Sequence, residues 1–244
     1  MFLLVIFFLC WGSFLNVVAY RLIKEESIIF PRSHCPCCKH QIVWYDNIPV
    51  LSWLLLTGKC RQCRKPISYL YPAIECFTAL AMSALFLSVP LTYFPLYFIF
   101  FSALIVTIRS DVETMLISRF VSVYLIPIGV IGSMMGYLPI TMRESMLGCM
   151  IGYAILYFTA IIFAKYRRQE GIGQGDLDLL AFIGAFVGPL GCWFTLLIGS
   201  LAGSCIGILY LLICKPENRR LPFGPFLALG AMVYALFHTA LLVI

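Results

Sequence analysis

The sequence predicts an all-α polytopic membrane protein, with about eight transmembrane helices and a small zinc-ribbon-like cytoplasmic domain between the first and second. Three observations carry this. The chain of 244 residues is 62% apolar and 11% charged, with a mean hydropathy of +0.98, whereas ordinary globular domains carry about 25% charged residues. The basic residues gather in alternate loops. Paired C-x-x-C motifs stand inside the one sizeable polar stretch.

Runs of about 20 apolar residues are long enough to cross a bilayer as helices. Residues 1–20 form the first, followed by 73–89, 93–109, 119–138, 144–164, 177–190, 192–214 and 223–243. The sixth is short and is closed by Gly188-Pro189. A secretory signal peptide is the other reading of residues 1–20. The segment lacks a basic n-region and an A-x-A site, and Arg21 follows it as a cytoplasmic anchor would.

With loops taken alternately, 16 of the 17 Lys and Arg residues fall on one side, and Arg143 alone falls opposite. They lie in 21–72, at Arg109 and Arg119, in the 165–170 loop, and at Lys215, Arg219 and Arg220. Positive-inside bias makes that side cytoplasmic and puts both termini on the outer side. Topology thus accounts for the net charge of +6, and no nucleic-acid surface is needed.

Residues 21–72 form the polar island. Cys35-Pro36-Cys37-Cys38 and Cys60-Arg61-Gln62-Cys63 are separated by 21 residues, close to the spacing of structural zinc sites. Cys35, Cys38, Cys60 and Cys63 are the expected ligands, with Cys37 spare. His34 or His40 could replace one thiolate. Two disulfides are the alternative, disfavoured on a reducing cytoplasmic side. So small a domain gains most from a metal staple. The remaining cysteines lie in or beside apolar spans and read as packing residues.

Acidic residues are few: 11 in all. At the membrane edges stand Glu75, Asp111, Glu113, Asp176 and Asp178, with Glu144 and Glu170 farther into loops. Asp111 follows the third span, and Asp176 ends the glycine-rich bend Gly171-Ile172-Gly173-Gln174-Gly175 before the sixth, so both belong to the cytoplasmic face. Two carboxylates sharing a partly dry site do not both ionise easily, so one can act as base and the other as acid. The base activates water while the acid polarises a scissile carbonyl. Helix capping is the plainer role for both. Glu113 and Asp178, two residues away from each, point elsewhere on a helix.

These residues resemble the bifunctional type IV prepilin leader peptidases that also N-methylate their product. The similarity runs in order from Gly12-Ser13-Phe14-Leu15-Asn16 through Pro31-Arg32-Ser33-His34-Cys35-Pro36, Trp44-Tyr45-Asp46-Asn47-Ile48-Pro49-Val50-Leu51-Ser52-Trp53 and Cys60-Arg61-Gln62-Cys63. It continues through Tyr71-Pro72 and Glu75, Asp111-Val112-Glu113-Thr114-Met115, Gly173-Gln174-Gly175-Asp176 and Leu221-Pro222-Phe223-Gly224-Pro225. The resemblance implies a bacterial inner-membrane enzyme, working at the cytoplasmic face with Asp111 and Asp176 as an aspartic-protease pair. Its substrates would be type IV prepilins or type II pseudopilins, whose basic leader is cut off after a glycine. The new N-terminal residue would then be methylated from S-adenosylmethionine. It also implies three parts: helix 1–20, the zinc-binding domain 21–72 associated with methyl transfer, and a peptidase domain 73–244.

No G-x-G-x-x-G loop marks a seat for S-adenosylmethionine, and Asp46, Asn47, Ser52 and Glu75 are the polar candidates for cofactor or the new amino terminus. Asp46-Asn47 reads equally as a turn, and Glu75 as the partner of a nearby Arg. The chain departs from the family at two places. Asp178 stands where Lys is common, and Ile117-Ser118-Arg119 where Leu-Pro-Asp is common. A protease alone, with the island docking substrate, is a second reading. A multispan transporter or scaffold is a third, but it would place its acids nearer the midplane.

Overall fold

The computed structural model describes residues 1–167, 171–214 and 221–241. Arg168, Glu170, Lys215, Arg219, Arg220 and residues 242–243 of the predicted last span lie outside them. Among the described residues every regular element is helical, apart from two isolated bridges in the island. Five helices are long and apolar enough to cross a membrane. The chain divides into two compact units, Met1–Leu87 and Ser88–Ile244.

In the first unit, α1 (Phe2–Ile23) and α3 (Leu70–Ser88) are long apolar helices, and α2 (Leu51–Leu55) is a single turn between them. Gly12 lets α1 press on α3, since a Cβ there would lie 2.9 Å from Thr78 Cβ and 3.0 Å from Glu75 Cα. Close approach at a small residue is how helices associate in lipid, where burial of apolar surface gives little drive. Asn16, 1% exposed, donates across this contact to Tyr71 O at 3.2 Å. Arg21 folds back from the end of α1 and donates to the carbonyls of Ser27 (2.8 Å) and Ile28 (3.0 Å).

The second unit holds α4 (Phe94–Thr114), α5 (Arg119–Ser122), α6 (Ile126–Met134), α7 (Met142–Arg167), α8 (Gln174–Cys214) and α9 (Gly224–Leu241). Its core is aromatic: Phe100 stacks on Phe186 at 4.8 Å between centroids, with Phe182 at 5.4 Å. Two predicted spans look different from their sequence outline. Residues 119–138 do not form one helix but two short ones, parted at 123–125, with Pro127 in the first turn of α6. The third helix runs past 109 to Thr114, so Asp111 lies in its last turn and does not follow it.

The sixth and seventh spans belong to the single element α8, broken at Gly188 (φ 74°, ψ −177°) with Pro189 next. This backbone region is essentially glycine's alone, and proline cannot continue the preceding hydrogen bonds. The two arms double back at the break. Cys192 Sγ lies 3.9 Å from Leu180 O, although twelve residues of straight helix would separate them by about 18 Å. The first arm packs on α7 through facing glycines, where a Cβ on Gly148 would meet Gly184 O at 2.3 Å. Ser145 Oγ adds a hydrogen bond to Ala185 O at 2.6 Å. That packing fixes the start of α8, where the site lies.

Candidate functional site

Asp111 sits in the last turn of α4 and is 5% exposed. A carboxylate there meets the negative end of its own helix, so capping α4 does not explain it. Its Oδ2 accepts instead from the backbone N–H of Gly224 at 3.0 Å. Gly224 opens α9, whose first N–H groups have no partner within that helix. Asp111 therefore caps a helix 113 residues away in sequence. A side chain at 224 would displace Asp111, because its Cβ would stand 2.7 Å from Asp111 Oδ2 and 3.1 Å from Ile117 Cδ1.

Asp176 is half-buried in the first turn of α8, with its N–H bonded to Gly173 O at 3.1 Å. There the positive end of the helix dipole favours a carboxylate. A Cβ on Gly173 would pass 3.7 Å from Asp176 Oδ2, and one on Gly175 would press on Ile117 Cβ at 3.0 Å. Ile117 is thus wedged between Gly175, beside Asp176, and Gly224, beside Asp111. The two carboxylates are close enough for their charges to interact. The acid pair expected from the sequence is brought together by the end of α4, the start of α8 and the start of α9.

The neighbouring acids point elsewhere. Glu113 accepts from buried Arg109 Nη1 at 2.6 Å, one turn earlier. Asp178 accepts from Gln174 Nε2 at 3.2 Å and lies 3.8 Å from Arg119 Nε. The two places set apart in the sequence by their departure from the resemblance thus meet in space, as the contact of Arg119 with Asp178. Neither Gly224 as the partner of Asp111 nor this pair was read from the sequence. The Leu221–Pro225 segment carried the only available signal for the first, and the two departures taken together the signal for the second.

In the island, two knuckles of the same build face each other. Lys39 N–H bonds Cys35 O at 2.9 Å and Arg64 N–H bonds Cys60 O at 3.0 Å. Lys39 and Arg64 both turn through positive φ (59° each), and the bridges 34↔41 and 59↔66 close the two loops. The Sγ atoms of Cys35, Cys38, Cys60 and Cys63 all lie within 4.8 Å of one another. Cys35 and Cys63 Sγ are 3.8 Å apart, the edge of a sulfur tetrahedron with metal–sulfur bonds of about 2.3 Å. The four residues fit a metal ion, and neither histidine is part of the cluster. All four are free thiols. Burial pushes the Cys35 thiol up, but hydrogen bonds from the Cys38 and Cys37 amides and from the Cys38 and Cys60 thiols outweigh it and draw it down to about 6. The Lys65 amide lowers Cys63, yet burial and the three neighbouring thiols raise it to about 11.

Three of the four cofactor candidates, Asp46, Ser52 and Glu75, make hydrogen bonds within the chain. Asp46 takes a two-pronged contact from Arg61, Nε at 2.8 Å and Nη2 at 2.6 Å, and this guanidinium holds its carboxyl below the usual range. Asn47 is exposed beside it, and Ser52 Oγ donates to Ile48 O at 2.7 Å. Glu75, 6% exposed, pairs with no arginine among the described residues and accepts instead from Val50 N–H at 2.7 Å. Val50 has φ 60° and ψ −51°, a conformation rare for a β-branched residue, and Leu51 N–H bonds Pro49 O across it. Glu75 therefore braces a strained turn. Asp46 and Glu75 are thus held by Arg61 and Val50 in this structure.

Comparison with known proteins agrees with this organisation. Residues 6–89 match the bacterial peptidase A24 N-terminal domain and residues 98–212 the type IV leader peptidase family. A type 4 prepilin-like proteins leader peptide-processing enzyme from Escherichia coli O78:H11 (strain H10407 / ETEC) is 35% identical over 91% of this chain and 88% of its own. Prepilin leader peptidase/N-methyltransferases from Aeromonas hydrophila (33%, covering 96% of this chain and 90% of its own) and Burkholderia pseudomallei strain 1026b (34%, 93% and 82%) are similar. No solved structure gives a significant match. With relatives this similar over nearly their whole length, the chain belongs to the type IV leader peptidase family.

Proposed function

We propose that the protein removes the basic leader from type IV prepilins or type II pseudopilins, cutting after a glycine at the cytoplasmic membrane face, and methylates the new N-terminus. One observation carries the hydrolytic half: Asp111 and Asp176, 65 residues apart in sequence, come close enough for their charges to interact, with Ile117 packed between Gly175 and Gly224 beside them. One carboxylate takes a proton from water while the other, protonated, donates its O–H to the scissile carbonyl oxygen. The resulting hydroxide adds to the carbonyl carbon. Collapse of the tetrahedral intermediate breaks the C–N bond, and the leaving amine takes up a proton. The N–H of Gly224 holds Asp111 through Oδ2, so the carboxyl reaches the substrate from a fixed position.

The substrate's physics supports this placement. A basic leader followed by an apolar helix has its junction at the membrane edge, where both acids lie at helix ends. Eight crossings follow if 119–134 counts as one and the two arms of α8 as two. Both termini then face the periplasm, across the inner membrane from the site.

Cys35, Cys38, Cys60 and Cys63 hold a structural zinc, which knits the two knuckles into one domain. S-adenosylmethionine supplies the methyl group, and the island and its flanking helices are the part assigned to that activity. The relatives' names support it, and no residue of the chain is given a step in it. The test is to incubate the purified protein in detergent with a prepilin and S-adenosylmethionine and weigh the products. A leaderless product 14 Da heavier than the cleaved chain supports both activities. A leaderless product of unchanged mass leaves the protease alone, and an intact prepilin overturns the proposal.

A further inference from the structure

We propose that Arg119 and Asp178 form a positioning pair that locks the Asp176 turn against the segment leaving Asp111. The inference rests on the aspartate-pair reading above and deepens it. Arg119 is the first residue of α5 and eight residues beyond Asp111, and Asp178 is two residues beyond Asp176. Their 3.8 Å contact ties the segment leaving Asp111 to the first turn of α8, which carries Asp176. Beside it, Ile117 is pressed on Gly175 on one side and faces Gly224 on the other. The ion pair therefore draws the Ile117 wedge onto the bend that carries Asp176.

Asp178 is suited to this work. It is 8% exposed, and its Oδ1 accepts from Gln174 Nε2 at 3.2 Å, the same amide that reaches Tyr153 OH on α7 at 3.2 Å. One carboxylate thus ties α5, α7 and the first turn of α8 to one another. Arg119 is largely exposed, its side chain retaining 73% of its accessibility. An exposed pair is weak by itself, but a buried carboxylate that loses its cation, or meets a like charge, is not. Small displacements of a catalytic group are costly in rate, so kcat is where the pair is felt.

The test exchanges the charges. Asp178→Lys sets an ammonium against Arg119 and should lower kcat about tenfold or more with KM within about twofold. Arg119→Asp, which sets a second carboxylate against Asp178 from an exposed site, should do the same. The double variant Arg119→Asp/Asp178→Lys should return to within about threefold of wild type, a non-additivity expected of partners in contact. Asp178→Asn, which keeps an acceptor for Gln174, serves if Asp178→Lys fails to fold, and it should lose about threefold. Wild-type kcat in the single variants, or a double variant no better than the worse single, overturns the inference. Asp111→Asn, assayed alongside, separates the two failures: if it cleaves normally, the aspartate-pair reading itself has failed.

Discussion

Replacing Gly224 with alanine moves Asp111 without touching it. The added Cβ would lie 2.7 Å from Asp111 Oδ2, whereas ordinary contact begins at 3.4 Å. The carboxylate must retreat by about 0.7 Å, which stretches its 3.0 Å hydrogen bond beyond useful reach. Gly224 is not among the glycines with positive φ, so alanine's backbone preferences are met and the effect is steric alone. A displacement of about 1 Å at a catalytic group costs roughly a hundredfold. For about 0.7 Å the loss is about 25-fold in kcat, or about 2 kcal/mol of transition-state stabilisation. Initial rates of leader removal by detergent-purified protein measure this, with a thermal melt in parallel to show that the fold is intact. A folded Gly224→Ala variant that cleaves within twofold of wild type would refute the claim that this N–H positions Asp111.

Three further outcomes follow from the geometry. Purified protein should contain about one zinc per chain, and Cys60→Ser, which removes one of four ligands, should lose the metal and expose residues 24–69 to protease; full zinc content in that variant would count against the four-thiolate site. Glu75→Ala leaves Val50 N–H without its acceptor, at a cost of about 1–3 kcal/mol, whereas Glu75→Gln keeps a carbonyl in place and should melt closer to wild type; equal melting temperatures would remove the brace. Gly188→Ala forces a side chain into a region that costs about 1–3 kcal/mol for other residues and should lower the melting temperature by several degrees; no change would mean that the reversal in α8 does not depend on Gly188.

Features set by a short stretch of chain were legible beforehand. Apolar runs outlined α1, α3, α4, α7 and α9, and Gly188-Pro189 marked the break in α8. The C-x-x-C spacing picked out four thiols that prove to be mutual neighbours. The scarcity of acids isolated Asp111 and Asp176. What escaped depends on residues far apart in sequence. Hydropathy over 119–138 gave no sign that the helix parts at 123–125, although Pro127, in the first turn of α6, was a local mark of it. Asp111 could be read as a cap, but only the packing of α4 on α9 shows that the helix it caps begins at Gly224. Asp178 and Arg119 each stood out as a lone departure from a pattern, and 59 residues of chain hid that they are partners. Glu75 looked like a ligand or the mate of an arginine because the unusual backbone of Val50, whose amide it receives, has no signature in the sequence.

The most direct test of the whole account is leader removal by Asp111→Asn and Asp176→Asn variants, compared at equal membrane abundance with wild type. Loss of the acid–base pair should slow cleavage by about 10²- to 10⁴-fold in each, with the protein still inserted and its zinc retained. Processing at the wild-type rate by either variant would contradict the assignment of these two carboxylates to the reaction.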